Sequence, residues 1–239
     1  VANIKRVSEE YAGGDTGSLV IATTHTQARY ALPAVVKQFV ERHPDVRLSM
    51  HQGSPPQIAE WTLKGEADIA IATEALDQYP QLVMLPCYQW GHSVVAPDGH
   101  PILSASNITL AELARWPLIT YDPAFAGRSR INKAFERAQL APNIVLAAID
   151  ADVIKTYVSL GLGLGIIASM AYDPVRDQGL QARDVSQFFG LNTTRIGLRR
   201  GTYLRRFEYD FIELFASHLS KRAVDMAMEG SGLNDEYQL

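Results

Sequence analysis

Cysteine is almost absent from this chain of 239 residues, in which Cys87 is the only one. A single cysteine cannot form an internal disulfide, and a chain without disulfides is more typical of the reducing cytosol than of secreted proteins. The neighbours Leu85, Pro86 and Tyr88 favour a buried, structural thiol over a nucleophile. We therefore expect a cytoplasmic protein.

Long apolar runs and targeting signals are lacking too. The longest apolar run, Leu162–Ala171, is interrupted by Gly163 and Gly165 and falls short of the ~20 residues that span a bilayer. The first residues show no signal-peptide pattern, and the chain begins with Val1 rather than Met. We expect a fragment whose beginning is missing.

The usual motifs of catalysis and of metal binding do not occur. The six histidines show no metal-ligand spacing, and there is no Cys–His pair, no H-E-x-x-H and no G-x-S-x-G. The run Gly161–Gly165 is not G-x-G-x-x-G and follows a predicted helix, so Gly161 is expected to close that helix. We expect no catalytic residue, no metal and no cofactor.

What the chain does contain is typical of a globular protein: 47% hydrophobic and 20% charged residues, without low-complexity runs or short repeats. Its net charge of −4 argues against nucleic-acid binding by charge alone. The length suits one large domain or two small ones.

Hydrophobic periodicity predicts alternating strands and helices. Strands at Gly17–Ala22, Val46–His51 and Ala67–Ala72 alternate with helices at Pro33–His43 and Gln57–Lys64, an order typical of a parallel sheet. A second set of elements follows, with predicted strands at Val83–Trp90, His92–Ala96, Leu118–Thr120, Asn143–Ala148, Gly165–Ala168 and Ile196–Arg199, and predicted helices at Leu110–Arg115, Ser129–Gln139, Ala151–Leu160 and Arg205–Leu219. Asp150 is expected to cap the helix after it. We predict two α/β subdomains of comparable size.

The segment Thr23–Gln27 joins the first strand to a helix and is rich in hydroxyl and amide side chains. The start of a helix presents unpaired backbone N–H groups at its positive end, which suits a small anion. Threonine also caps helices routinely, so a plain helix cap is the alternative.

Polar residues also follow two neighbouring strands, namely Gln52, Gly53 and Ser54 after one and Thr73 after the other. Ligands of open parallel sheets lie at the carboxyl ends of the strands, so these positions favour a ligand cleft. In the second subdomain Ala126, Gly127 and Ser129 could present backbone N–H groups to an anion. Two arginines, Arg128 and Arg130, either add charge there or are simply solvated.

Several stretches resemble the effector-binding domain of LysR-type transcriptional regulators. They are Gly65–Ile71, Gly161–Ile166, Leu32-Pro33 and Phe39–Val46. Further stretches are similar to the branch of that family that activates sulfur assimilation and cysteine synthesis: Ala22–Tyr30, Asp150–Tyr157, Met84–Tyr88 and Ile167–Ala171.

The resemblance implies an α/β fold of two Rossmann-like subdomains joined by two crossover strands, like the type II periplasmic binding proteins, with a cleft between them. The implied boundaries are residues 1–12 for the end of a linker helix, 13–88 and 192–221 for subdomain I, 89–191 for subdomain II and 222–239 for a flexible tail.

The resemblance also implies that the chain is no enzyme but senses N-acetylserine or O-acetylserine, or small oxyanions such as sulfate and thiosulfate. The family's ligand contacts fall on Thr24, Thr26, Gln27, Thr73 and Ala126, where Ala126 replaces a threonine. With their neighbours His25, Gln52, Ser54 and Gly127, these residues form the candidate site.

Promoter DNA would be bound only through an N-terminal winged helix-turn-helix outside this sequence. The domain would dimerise through the helix beginning near Tyr30 and the partner's Ser129–Gln139, and a full-length protein would be a tetramer. Two alternatives remain: a solute-binding protein for sulfate or thiosulfate, and a small-acid enzyme on the same fold with His25 as its acid or base.

Overall fold

The computed structural model describes residues 16–73, 76, 78–123, 125 and 127–230. The chain forms two compact units: unit 1 comprises the residues before Trp90 and after Asn192, and unit 2 comprises Trp90–Asn192. The linker helix expected for residues 1–12 lies outside the described residues. No helix in these ranges is both long and apolar enough to cross a membrane.

The described residues of unit 1 form five strands, four α-helices and a short π-helical segment. The strands are β1 (Gly17–Thr23), β2 (Val46–Gln52), β3 (Ile69–Thr73), β4 (Leu82–Trp90) and β10 (Asn192–Arg199). The helices are α1 (Leu32–Arg42), α2 (Pro55–Lys64), α8 (Arg206–Phe215) and α9 (Lys221–Met228), and the π-helical segment is Gln27–Ala31.

The strands of unit 1 lie in the order β2-β1-β3-β10-β4. Strand β1 runs parallel to β2 and to β3, with Thr23 opposite Gln52 on one side and opposite Ile71 on the other. The predicted parallel arrangement of the first three strands is therefore confirmed. Strand β10 joins antiparallel to β3, with Thr194 opposite Thr73.

The core of unit 1 lies between this sheet and the helices α1 and α8. Phe39 of α1 meets Phe211 of α8 edge to face with ring centroids 5.5 Å apart, and both rings are fully buried. Burying one such side chain contributes about 2 kcal/mol. Cys87 belongs to the same core and is 5% exposed, which confirms the predicted buried thiol, and this burial raises the pKa of the thiol to about 12.

Unit 2 repeats the α/β pattern with a corresponding strand order. Its strands are β5 (His92–Pro97), β6 (Leu118–Tyr121), β7 (Ile144–Ala148), β8 (Leu164–Ala168) and β9 (Leu180–Asp184), in the order β7-β6-β8-β5-β9. Its helices are α3 (Pro101–Ser104), α4 (Leu110–Ala114), α5 (Arg128–Arg137), α6 (Ala151–Ser159) and α7 (Ser186–Phe189). Strand β6 is parallel to β7 and β8, whereas β5 is antiparallel to β8 and β9.

Both ends of α6 are as the sequence predicts. The carboxylate of Asp150 accepts a hydrogen bond of 2.8 Å from the N–H of Val153 at the start of the helix. Gly161 follows the end of the helix with a φ of +76°, a conformation that favours glycine, so the glycine run closes a helix and opens no nucleotide loop.

The structure corrects the prediction of a flexible tail for residues 222–228, whereas residues 231–239 of that prediction lie outside the described residues. Helix α9 occupies Lys221–Met228, and its Val224 is fully buried. The hydroxyl of Tyr209 on α8 also donates a hydrogen bond to Asp225. The helix forms because apolar residues at helical spacing cover the core of unit 1.

Strand β9 is not predicted from the sequence, because its residues show no clear pattern. Its sequence, Leu-Gln-Ala-Arg-Asp, is short and shows little apolar alternation. Pairing with β5 along five residues makes it a strand, so its conformation depends on a partner that is distant in sequence.

Candidate functional site

The chain turns into a helix directly after β1, earlier than the sequence predicts. Its first helical residue is His25, and the N–H of Ala28 donates 3.0 Å to the carbonyl of Thr24. The N–H groups of His25, Thr26 and Gln27 come before this first helical hydrogen bond, so no carbonyl of the helix itself can accept from them. Thr26 makes no side-chain capping bond. The turn therefore presents backbone donors, as an anion site requires.

The widened turn that follows has a local cause. The N–H of Leu32 donates to the carbonyl of Gln27, five residues back, as in a π-helix. Pro33 comes next, and its ring clashes with the carbonyl four residues earlier while it lacks an N–H of its own. The proline thus accounts for the π-helical geometry that we did not predict.

The five polar side chains of Thr23–Gln27 differ in what they contact. Thr23 is fully buried, and its hydroxyl donates 3.0 Å to the carbonyl of Ile71, so it ties β1 to β3. Thr24 is 7% exposed, while His25 and Thr26 are half-buried. The Nδ1 atom of His25 is buried and has no hydrogen-bond partner among the described residues.

The side-chain amide of Gln27 is hydrogen-bonded to two side chains on the strands β4 and β10. Its amide nitrogen donates 3.1 Å to the hydroxyl of Thr194 on β10, and its amide oxygen accepts a hydrogen bond from the hydroxyl of Tyr88 on β4. Gln27 is 1% exposed and Thr194 is fully buried. Burial raises the pKa of Tyr88 to about 12, so its phenol is a stable donor at neutral pH.

The predicted residues at the strand ends come together in part. Gln52 pairs with Thr23 across the β2–β1 ladder and is exposed, whereas Thr73 ends β3 beside β1 and is 3% exposed. Ser54 contacts the start of α2 instead, because its N–H and hydroxyl lie 2.9 and 3.0 Å from the side-chain oxygen of Gln57. We assign Ser54 to the helix terminus.

In unit 2, Gly127 is the residue before α5, with a φ of +92°, and Ala126 lies outside the described residues. Arg128 is buried: its guanidinium donates 2.6 Å to the carbonyl of Tyr121 and 2.8 Å to Asn132. The prediction that Arg128 is simply solvated is therefore wrong, whereas the prediction that it adds positive charge near the start of α5 stays a prediction. Arg130 is half-buried.

His92 on β5 is a buried histidine that sequence reasoning missed. Its ring is fully buried between Trp90 and Phe189, each 5.4 Å away between centroids, and neither ring nitrogen has a hydrogen-bond partner among the described residues. Burial, with the positive charge of Arg130, lowers the pKa of His92 to about 4. The ring is therefore neutral at physiological pH.

No sequence signal identifies Tyr88, His92 or Thr194 in advance. The contacts of Gln27 span 61 and 167 residues along the chain, and no periodic pattern links positions so far apart. A tyrosine or threonine in a strand is usually read as a packing residue.

Comparison with known proteins gives consistent matches. The LysR substrate binding domain model matches residues 12–220. The transcriptional regulator SsuR of Burkholderia cenocepacia is 55% identical over 222 residues, which cover 93% of this chain and 72% of SsuR. CysB of the same organism is 52% identical, and Cbl of Escherichia coli is 44% identical, each over 100% of this chain and 76% of the relative.

Solved structures agree with this assignment. The cofactor-binding domain of the Cbl transcriptional regulator has a TM-score of 0.85 and 47% identity, covering 90% of this chain and 94% of that one. The effector-binding domain of QuiR in complex with shikimate has a TM-score of 0.74 at 18% identity, covering 85% and 97%, and shows the fold alone. The motifs of the sulfur-assimilation branch favour CysB first and Cbl next, and both are among these relatives. SsuR was not predicted.

Proposed function

Because this chain belongs to the LysR substrate-binding domain family, whose members are transcriptional regulators and not enzymes, we propose that it senses the effector of an activator of sulfur assimilation and cysteine biosynthesis. The similarity to SsuR, CysB and Cbl supports that regulatory role. The small-acid enzyme considered from the sequence is set aside.

One observation carries the choice of ligand. The turn after β1 offers the N–H groups of His25, Thr26 and Gln27 together with the threonine side chains, and it holds no lysine or arginine. Neutral donors at a helix start bind a small anion while leaving little unbalanced positive charge in its absence. Thr24, His25, Thr26, Gln27 and Thr73 are the proposed contacts.

The effector class follows from those donors. Sulfate, thiosulfate and the carboxylate of N-acetylserine or O-acetylserine present acceptor oxygens of the right size for such a turn. The exposed Gln52 at the same strand end is proposed as a further contact.

Regulation then requires that the effector bind one conformation of the protein more tightly than another, since a ligand shifts an equilibrium only by its differential affinity. In the cytoplasm, that shift would act on promoter binding by a DNA-binding domain of the full-length protein.

We propose a dimer of the present domain, formed through α1 and the partner's α5, and a tetramer at full length.

Calorimetric titration with N-acetylserine, O-acetylserine, sulfate and thiosulfate tests the ligand, with Thr24→Ala as the site variant. We expect binding of at least one compound and about a tenfold loss in Thr24→Ala, which removes one hydroxyl donor. The matched control is Thr109→Ala, since Thr109 caps α4 and its loss should lower stability but leave affinity unchanged.

Two outcomes would contradict the proposal. If none of the four compounds binds, the ligand class is wrong, and if Thr24→Ala binds as the wild type does, the site is wrong. A full-length protein that binds sulfate but no promoter DNA would instead favour the solute-binding alternative.

A further inference from the structure

Three side chains of unit 1 form a closed ring of hydrogen bonds. The hydroxyl of Tyr88 donates to the amide oxygen of Gln27, whose nitrogen donates 3.1 Å to the hydroxyl of Thr194. The hydroxyl of Thr194 is itself hydrogen-bonded to the phenol oxygen of Tyr88. Each hydroxyl donates once and accepts once, so the three donors run in one direction around the ring.

The ring connects separate elements, and two of its three residues are fully buried while Tyr88 is half-buried. Gln27 begins the π-helical turn, Tyr88 lies on β4 and Thr194 on β10, and Gln27 and Thr194 are at most 1% exposed. A buried amide that is reversed would face the Tyr88 hydroxyl with its nitrogen and the Thr194 hydroxyl with its oxygen. Both hydroxyls would then reverse as well, so the ring is satisfied in either direction, and in both directions it uses the amide oxygen and one N–H of Gln27.

The ring determines what Gln27 offers to a ligand. Its oxygen accepts from Tyr88 inside the ring, and one of its two N–H groups is used on Thr194. The remaining polar hydrogen of the amide is a donor. Gln27 thus matches the N–H groups of the same turn, and the turn as a whole has donor character.

Resting on the proposed function, we propose that Tyr88 and Thr194 are specificity-determining residues, which hold Gln27 as a donor and so make the site selective for anions. Sulfate and carboxylates carry acceptor oxygens only, so they gain from every donor of the turn. A neutral amide or a cation would meet donors where it needs acceptors, and it would leave buried polar groups unpaired.

The first test is calorimetric titration of the domain with sulfate. Thr194→Val keeps the shape of the side chain but removes the acceptor, and we expect sulfate affinity to fall about three- to tenfold, the effect of one hydrogen bond. Thr194→Ser restores the hydroxyl and should bind within about twofold of the wild type. Thr62→Val is the matched control, because Thr62 is also fully buried but bonds only the carbonyl of Ile58 within α2.

The second test is the side-chain amide signal of Gln27 in the ¹⁵N-labelled domain, identified by its loss in Gln27→Met. We expect slow hydrogen exchange for this amide, in contrast to the exposed Gln38, and faster exchange in Thr194→Val and in Tyr88→Phe. Tyr172→Phe is the control for the tyrosine change, since Tyr172 bonds the carbonyl of Leu180 in unit 2.

The results separate the two proposals. The role of Tyr88 and Thr194 alone is overturned if the wild type binds sulfate and Thr194→Val binds it equally well. It is also overturned if the Gln27 amide exchanges as fast as that of Gln38. Failure of the wild type to bind sulfate and both acetylserines overturns the proposed function itself.

Discussion

The Nε2 atom of His92 faces the backbone of Gly127 so closely that a Cβ on Gly127 would lie 2.8 Å from it. Gly127 also has a φ of +92°, which residues with a side chain rarely adopt. Conformation and space therefore both require glycine at the start of α5.

Gly127→Ala should consequently destabilise the domain by about 3 kcal/mol, as the sum of backbone strain and a steric clash with the His92 ring. Gly161→Ala is the matched control, since Gly161 has a φ of +76° but nothing within 4 Å of the added Cβ. It should cost only about 1 kcal/mol. Urea denaturation measures both values, and equal losses would show that the His92 contact is unimportant.

His92 should make the domain sensitive to acid. Its pKa is lowered to about 4 in the folded protein against an ordinary value of 6.5, so folding favours the neutral ring. The resulting stability is complete above pH 6.5 and is lost as the pH falls from 6.5 to 4, by up to about 3 kcal/mol.

His92→Phe keeps an aromatic ring between Trp90 and Phe189 but cannot be protonated. The difference in unfolding free energy between wild type and variant should therefore change between pH 6.5 and 4 and stay constant above pH 7. A difference that does not vary with pH would show that His92 is not the titrating group.

Lys155 should contribute strongly to the stability of unit 2. Its side chain is 8% exposed, and its ammonium lies 2.8 Å from Asp177, 3.3 Å from Asp152 and 2.8 Å from the carbonyl of Ala171. Lys155→Met removes the cation beside the carboxylate of Asp177, which is 11% exposed and keeps a hydrogen bond of 2.9 Å from the N–H of Asp173, so the loss should be about 2 kcal/mol.

Lys64→Met is the control for this change. Lys64 lies 2.6 Å from Glu60, but both side chains are more than half exposed, so the loss should stay below about 1 kcal/mol. Chemical denaturation compares the two variants. A loss for Lys155→Met as small as that of the control would mean that Asp177 is satisfied without the lysine.

The proposed dimer predicts an effect at Val40, which is 47% exposed on α1. Val40→Asp would bury a carboxylate in the interface, so we expect dimerisation to weaken about tenfold or more in sedimentation velocity. Val175→Asp serves as control because Val175 is 77% exposed and lies outside α1 and α5. A dimer that is unaffected by Val40→Asp would use another surface.

Local features of the fold were accessible from the sequence. The parallel strands β1, β2 and β3, the cap at Asp150 and the helix end at Gly161 are each encoded within a few neighbouring residues. Periodicity, capping and glycine conformation act over such distances, and the family motifs are equally contiguous.

The tertiary structure alone decided the contacts between distant residues. The ring of Gln27, Tyr88 and Thr194, the neutral ring of His92 beneath Gly127 and the antiparallel strands β9 and β10 all depend on partners far along the chain. Hydrogen bonding and burial at these positions are set by packing, which no sequence period records. The sequence by itself thus determined that a polar turn follows β1, whereas the tertiary structure decided how Gln27 is held in it.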